Sequence, residues 1–168
     1  MAERVVSAAG DLPVVVVSSD PDVVAWAGRR ALACVDDPGS LDGAADAGRA
    51  WVRGQGLPRV VVAHGDLPFA TSLDEVAAGG AEPVVVAVPC HRDDGTPVLS
   101  VPVDLDFSFA YGPGSFARHC AEAERAGATL RIVRDPDLSF DVDVPEDLDA
   151  LAQRSDCASA SAASPDRP

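Results

Sequence analysis

The alternation of apolar and polar segments predicts an α/β fold, a sheet covered by helices on both faces. Three observations carry this. Short apolar runs rich in β-branched residues recur at Val14–Val17, Val60–Ala63, Val84–Val88 and Leu130–Val133, as expected of strands buried on both faces. The stretches between them hold helix-start and helix-stop signals. A length of 168 residues suits one domain with a real core better than two.

Taken in order, Ala2–Ala8 reads as the end of a helix leading into the first strand. Asp20-Pro21-Asp22 is a helix start, with a capping carboxylate, proline at the first position and another acid behind it. The helix carries Trp26 and ends near Gly28 or Arg30, and a second runs from Leu41 to Val52 after the Pro38-Gly39 turn. A third opens at Thr71 or Ser72, with Asp74 and Glu75 in its first turn. Residues 89–109 break the rhythm with a Gly95-Thr96-Pro97 turn and an extended Leu99–Leu105 stretch, expected to form a small antiparallel element or a lid over the sheet edge. The fourth helix spans Ser115–Ala126 and stops at Gly127, a good C-terminal cap. The last runs from Pro145 to about Gln153, which makes 1–153 the domain. The Ser- and Ala-rich residues 154–168 read as a disordered tail.

The net charge of −14 argues against nucleic-acid and anionic-membrane partners. It leaves small anions open, because backbone dipoles or a metal can invert the field in one cleft. All 13 basic residues apart from histidine are arginines, so no mechanism can draw a lysine from this chain. Cys34, Cys90, Cys120 and Cys157 have no metal-like spacing and read as reduced thiols of a cytoplasmic protein. The run Val14–Val17 is too short for a signal peptide or a membrane span. The oligomeric state is not legible.

Four places carry candidate chemistry. The segment Tyr111-Gly112-Pro113-Gly114-Ser115 opens a helix whose first turn brings Arg118 and His119 against the positive end of its dipole. An anion on the amides of Gly114, Ser115 and Phe116 would relieve that conflict. Asp66 follows the strand Val60–Ala63, at the carboxyl end where such sheets bind ligands. It could hold Mg²⁺ on a nucleotide or simply cap a turn. Asp141 and Asp143 lie one residue apart, and on a strand their charges would repel by about 2–3 kcal/mol at an effective dielectric of 20. A divalent cation removes that cost, although acids before the helix at Pro145 are welcome for electrostatic reasons alone. Thr96 is a site hydroxyl or part of a turn, and His119 a site base or packing. The glycine-rich Ser40-Leu41-Asp42-Gly43-Ala44 could cradle a base or ribose, or only join a loop to a helix.

Together, His64-Gly65-Asp66-Leu67-Pro68, Asp94-Gly95-Thr96, Phe109-Ala110-Tyr111-Gly112-Pro113-Gly114-Ser115-Phe116 and Asp141-Val142-Asp143-Val144-Pro145-Glu146-Asp147-Leu148 resemble the 2-phospho-L-lactate guanylyltransferases. That family includes phosphoenolpyruvate guanylyltransferases and serves biosynthesis of the deazaflavin coenzyme called factor 420. The resemblance implies a three-layer α/β/α sandwich like that of the nucleotide-diphospho-sugar transferases, with a mixed, mostly parallel sheet and a small antiparallel insertion. It implies transfer of GMP from GTP to the phosphate of phosphoenolpyruvate or 2-phospho-L-lactate, with release of pyrophosphate. By motif, Asp66, Asp141 and Asp143 are the implied catalytic Mg²⁺ ligands, while Thr96, Gly112, Gly114 and Ser115 contact the acceptor. Ser40, Leu41, Asp42 and Gly43, with Asp66, contact the nucleotide.

Three departures accompany the resemblance. The family's opening strand and its Lys/Arg-bearing phosphate loop have no counterpart after Met1, so the domain is expected to be N-terminally incomplete. Pro97 stands where relatives have asparagine, and Val144 where they have a capping threonine. The rival readings are another nucleotidyltransferase, acting on a sugar phosphate or a molybdenum cofactor, and a truncated remnant that binds ligand without turnover.

Overall fold

The computed structural model of the chain describes residues 1–79, 83–142, 147, 148 and 151. Asp143, Val144, most of the helix expected from Pro145 and the tail 154–168 lie outside the described residues.

Helix α1 (Ala2–Ala8) leads to strand β1 (Val15–Val17). Helix α2 (Pro21–Arg29) starts where the Asp20 carboxylate accepts the amides of Asp22 and Val23 at 2.8 and 3.2 Å. Strand β2 (Ala33–Val35) pairs parallel with β1, an element too short to have shown as an apolar run. Helix α3 (Leu41–Gly54) is capped by Ser40, whose Oγ accepts the Gly43 amide at 3.1 Å. There follow strand β3 (Arg59–Ala63), the single turn α4 (Asp74–Ala77), strands β4 (Val84–Val88) and β5 (Val98–Pro102), helix α5 (Ser115–Arg125) and strand β6 (Thr129–Ile132).

The main sheet has the order β3-β5-β4-β6. Its strands β3, β4 and β6 run one way and β5 runs against them. The Leu99–Leu105 stretch was expected as a small antiparallel element or a lid over the sheet edge; Val98–Pro102 is antiparallel to both its neighbours, and the correction is its place, in the middle of the sheet and not over an edge. Val98, Leu99, Ser100 and Val101 have no exposed surface, so the segment buries apolar side chains on both faces, which a lid could not do.

The pleat divides the core. Val86 and Val88 of β4 pack with Val5 and Ala8 of α1 and Val76 of α4. Their neighbours Val85 and Ala87 face Ala45 and Val52 of α3 and Ala123 of α5. Helices therefore cover both faces of a mixed sheet, the three-layer arrangement. Among the described residues, no helix is long and apolar enough to cross a membrane.

One gap interrupts the layer. Among the described residues, β1 pairs only with β2, and β3 only with β5. The two remaining edges border one cavity of about 980 Å³, walled by Val15, Val16, Val60 and Val61. The start of α1 lies at the same cavity, where Ala2 stands 3.8 Å from the position a Cβ on Gly65 would take. Facing unpaired edges are otherwise avoided or covered in folded proteins.

Candidate active site

Strand register gathers most of the candidate residues at one end of the sheet. Val98, the first residue of β5, pairs with both Ala63 and Val88, the last residues of β3 and β4. His64 continues the ladder by donating its amide to the Pro97 carbonyl at 3.0 Å. Proline at that position thus retains the backbone group the ladder uses. The β4–β5 loop is closed by the Cys90 amide on the Gly95 carbonyl at 3.0 Å and the Gly95 amide on Cys90 Sγ at 3.1 Å. Asp66, Asp94 and Thr96 accordingly lie where parallel strands end, the usual ligand-binding end of such sheets.

The start of α5 differs from the expected open anion seat. Gly112 (φ 99°) and Gly114 (φ 73°) make the turn, in backbone regions that disfavour a side chain. The Gly114 amide donates to Asp94 Oδ1, the Ser115 amide to the Gly112 carbonyl and the Phe116 amide to the Asp94 carbonyl, each at 3.0 Å. All three amides expected to await an anion are occupied, and the carboxylate seated there is the chain's own Asp94. Sequence could not pair Asp94 with a helix start twenty residues on. Arg118 also resolves its conflict with the dipole internally. Its guanidinium donates to the carbonyls of Ala110, Tyr111, Gly112 and Pro113 at 2.5–3.3 Å, tying down the loop instead of facing a ligand.

His119 is not a solvent-facing base, for it has no exposed surface. Its Nε2 accepts the Ala110 amide at 3.0 Å, and its Nδ1 meets Thr96 Oγ1 at 3.0 Å. Ser115 Oγ lies 3.4 Å from the same Thr96 oxygen. Thr96 and Ser115 are themselves 1% and 2% exposed. Burial, assisted by the nearby Arg118 charge, lowers the His119 pKa to about 4. The folded state therefore binds fewer protons than the unfolded chain between the unperturbed value near 6.5 and the folded value. This contribution is complete above about pH 6.5 and is lost as pH falls through 4, amounting to about 2–3 kcal/mol at pH 4.5. Urea unfolding at pH 7.5 and 4.5 should show this loss in the wild type, beyond whatever loss remains in a folded His119→Asn variant.

The carboxylates are placed as follows. Asp66 Oδ1 is buried without a hydrogen-bond partner among the described residues. Asp141 is 4% exposed, with its Oδ1 3.4 Å from His91 Nδ1 and its Oδ2 3.9 Å from a Cβ built on Gly95. Among the described residues, no three His, Cys, Asp or Glu side chains converge in a metal-ready group; Asp143, the third expected carboxylate, lies outside them. In the glycine-rich segment, Ser40 and Gly43 serve the α3 cap, and a Cβ on Gly43 would come within 2.7 Å of Pro38 Cγ. Asp42 Oδ1 accepts the Tyr111 amide at 2.6 Å, which joins this segment to the Gly112–Ser115 loop. Leu41 is exposed and, with Tyr111, borders the large cavity. The Tyr111 ring stands 5.3 Å from His64 and 4.8 Å from His119, and burial pushes its phenol pKa up.

The arrangement is a hydroxyl pair, a buried carboxylate oxygen and glycine turns at the end of a mixed sheet. Comparison with known proteins gives the family. The family described as guanylyl transferase CofC-like matches residues 1–159. A phosphoenolpyruvate guanylyltransferase of Sphaerobacter thermophilus is 34% identical over 142 residues, covering 83% of this chain and 69% of its own. Another, of Rubrobacter xylanophilus, is 34% identical over 158 residues, covering 90% and 77%. A third, of Roseiflexus castenholzii, is 41% identical over 95 residues, covering 56% of this chain and 44% of its own. The chain thus spans between under half and about three quarters of the length of these relatives. Family match, fold and the order of the motifs agree: the chain belongs to the CofC-like guanylyl transferase family.

Proposed function

We propose that the chain transfers GMP from GTP to the phosphate of phosphoenolpyruvate, releasing pyrophosphate, as a step in making the deazaflavin coenzyme called factor 420. The observation that carries this reading is that Asp66 and the Thr96–Ser115 hydroxyl pair lie at the same end of the sheet, in a chain whose relatives bear that enzyme name. These substrates put the reaction in the cytoplasm.

An oxygen of the acceptor phosphate attacks the α-phosphorus of GTP. The new O–P bond forms as the bridge to the β-phosphate breaks, and its electron pair leaves on pyrophosphate. Such a displacement asks for positioning and charge neutralisation more than for covalent help from side chains. A net charge of −14 makes neutralisation the harder part, since both substrates are anions. Asp66, Asp141 and Asp143 would hold Mg²⁺. The fit rests on the Asp66 oxygen, a hard donor left without a partner among the described residues. When bound, the ion supplies charge neutralisation on the phosphates. Thr96 and Ser115 give hydroxyls to the acceptor, and Gly112 and Gly114 make the turn that seats Asp94 and positions Ser115. Asp42 and Leu41 face the nucleotide from the start of α3, whose shape Ser40 and Gly43 maintain.

Turnover measured side by side with GTP, CTP and UTP, each offered phosphoenolpyruvate, 2-phospho-L-lactate and a hexose phosphate, tests the proposal. GTP with phosphoenolpyruvate should exceed every other pair by at least about tenfold, a difference of roughly 1.4 kcal/mol in transition-state stabilisation. Preference for a sugar phosphate, or for CTP, would overturn it. Preference for 2-phospho-L-lactate would overturn the choice of acceptor alone.

A further inference from the structure

The buried histidine of α5 decides what the hydroxyl pair beside it can do. A backbone amide can only donate, so the Ala110 N–H at 3.0 Å requires a bare Nε2 on His119. A neutral ring then carries its one proton on Nδ1, which donates to Thr96 Oγ1 at 3.0 Å. Thr96 and Ser115 have two hydroxyl protons between them, and one is used in the 3.4 Å contact that links them. One hydroxyl proton remains for an outside acceptor.

The opposite tautomer gives the opposite result. Thr96 would donate to Nδ1, Ser115 would donate to Thr96, and no hydroxyl proton would be left. The pair would then present only lone pairs, which repel an anion, while Nε2–H and the Ala110 N–H would confront each other as two donors. The surroundings also hold the ring in place and uncharged, so the amide alone sets the tautomer. His119 lies with its centroid 4.8 Å from the Tyr111 ring and 6.0 Å from that of Phe107, and burial keeps it neutral at physiological pH.

We infer that His119, fixed as the Nδ1–H tautomer by the Ala110 amide, makes the Thr96–Ser115 pair a net hydrogen-bond donor to an anionic oxygen of the acceptor substrate. His119 is thus a positioning residue that touches no substrate. The inference deepens the proposed function and rests on its placing of the acceptor at Thr96 and Ser115. It also explains a fully buried histidine that the transfer itself does not use. Because both hydroxyls are almost closed off from water, a donor aimed there meets little competition from solvent.

Two measurements test it. Long-range ¹H–¹⁵N NMR of the ¹⁵N-histidine-labelled chain needs no substrate and reads the tautomer directly. His119 should show a protonated Nδ1 and a bare Nε2 from pH 6 to 8, and a protonated Nε2 would overturn the inference. The second compares His119→Leu with His119→Asn, whose amide offers an N–H near the Nδ1 position. His119→Leu should raise the KM for phosphoenolpyruvate about tenfold or more, with the KM for GTP changed less than about threefold, and His119→Asn should recover most of the loss. An equal rise in both KM values, or no recovery by asparagine in a folded protein, would overturn it. Should His119→Leu not fold, the tautomer and the asparagine variant decide alone. Absence of GMP transfer by the wild type would count against the proposed function, while the tautomer result would still stand.

Discussion

Replacing Asp66 with asparagine is expected to slow GMP transfer by about 10²–10³-fold, while leaving the melting temperature within about 2 °C of the wild type. The two halves have separate causes. Asp66 leaves the end of β3 with a buried Oδ1 that no described residue satisfies, so the fold gains no hydrogen bond there that asparagine could lose. Asparagine keeps the shape of the side chain and removes a charge the fold leaves unpaired, so no interaction of the fold is lost. Transfer between two polyanions, by contrast, depends on charge held at one point, and single electrostatic contributions of this kind are worth about 10²–10³ in rate. Steady-state pyrophosphate release and differential scanning calorimetry on the same preparation check both halves. A Tm drop above about 5 °C would make Asp66 structural, and turnover near the wild type would remove it from the site.

Joining a strand of five to seven alternating Val and Ile residues, through a short glycine-containing loop, ahead of Met1 is expected to stabilise the fold by about 2–4 kcal/mol. The estimate sets roughly 1.5–3 kcal/mol for each fully buried aliphatic side chain against about 1–2 kcal/mol of backbone entropy for each ordered residue. For a chain of this size it corresponds to a Tm rise of about 5–15 °C. The reason lies in the cavity of about 980 Å³, which two strand edges border without pairing across it. A strand there would meet β1 on one side and β3 on the other. Its end would reach the start of α1 beside Gly65, as a parallel strand–helix–strand crossover requires. Amide hydrogen exchange gives the local check, since Val15–Val17 and Val60–Val62 should become protected together. Unchanged exchange at both edges, with a higher Tm or without one, would show that the strand does not enter.

The elements most legible in the sequence were those whose signals are local. Asp20-Pro21 marked the start of α2 and Gly127 the end of α5, because capping and left-handed turns are decided within a few residues. Strands β3 and β4 showed as continuous valine runs because each meets the core on both faces, β4 fully and β3 in part. β2 escaped because Ala33-Cys34-Val35 is not a run of β-branched residues, and β5 was expected at the edge because its second pairing, with the distant β3, leaves no trace in either segment. The site divides in the same way. The glycines of the Gly112–Ser115 turn announced a tight approach, yet the group that approaches is Asp94. His119 was weighed as a base or as packing; its hydrogen bonds to Ala110 and Thr96, which spacing alone could not reveal, are what support the positioning role proposed above.

The most direct measurement is ³¹P NMR of the chain incubated with GTP, phosphoenolpyruvate and Mg²⁺, beside its Asp66→Asn variant. Matched growth of pyrophosphate and of a diphosphate diester joining GMP to phosphoenolpyruvate is expected, in the wild type alone. Inorganic phosphate with GDP, equal product from both proteins, or no product even when the strand ahead of Met1 is supplied would contradict it.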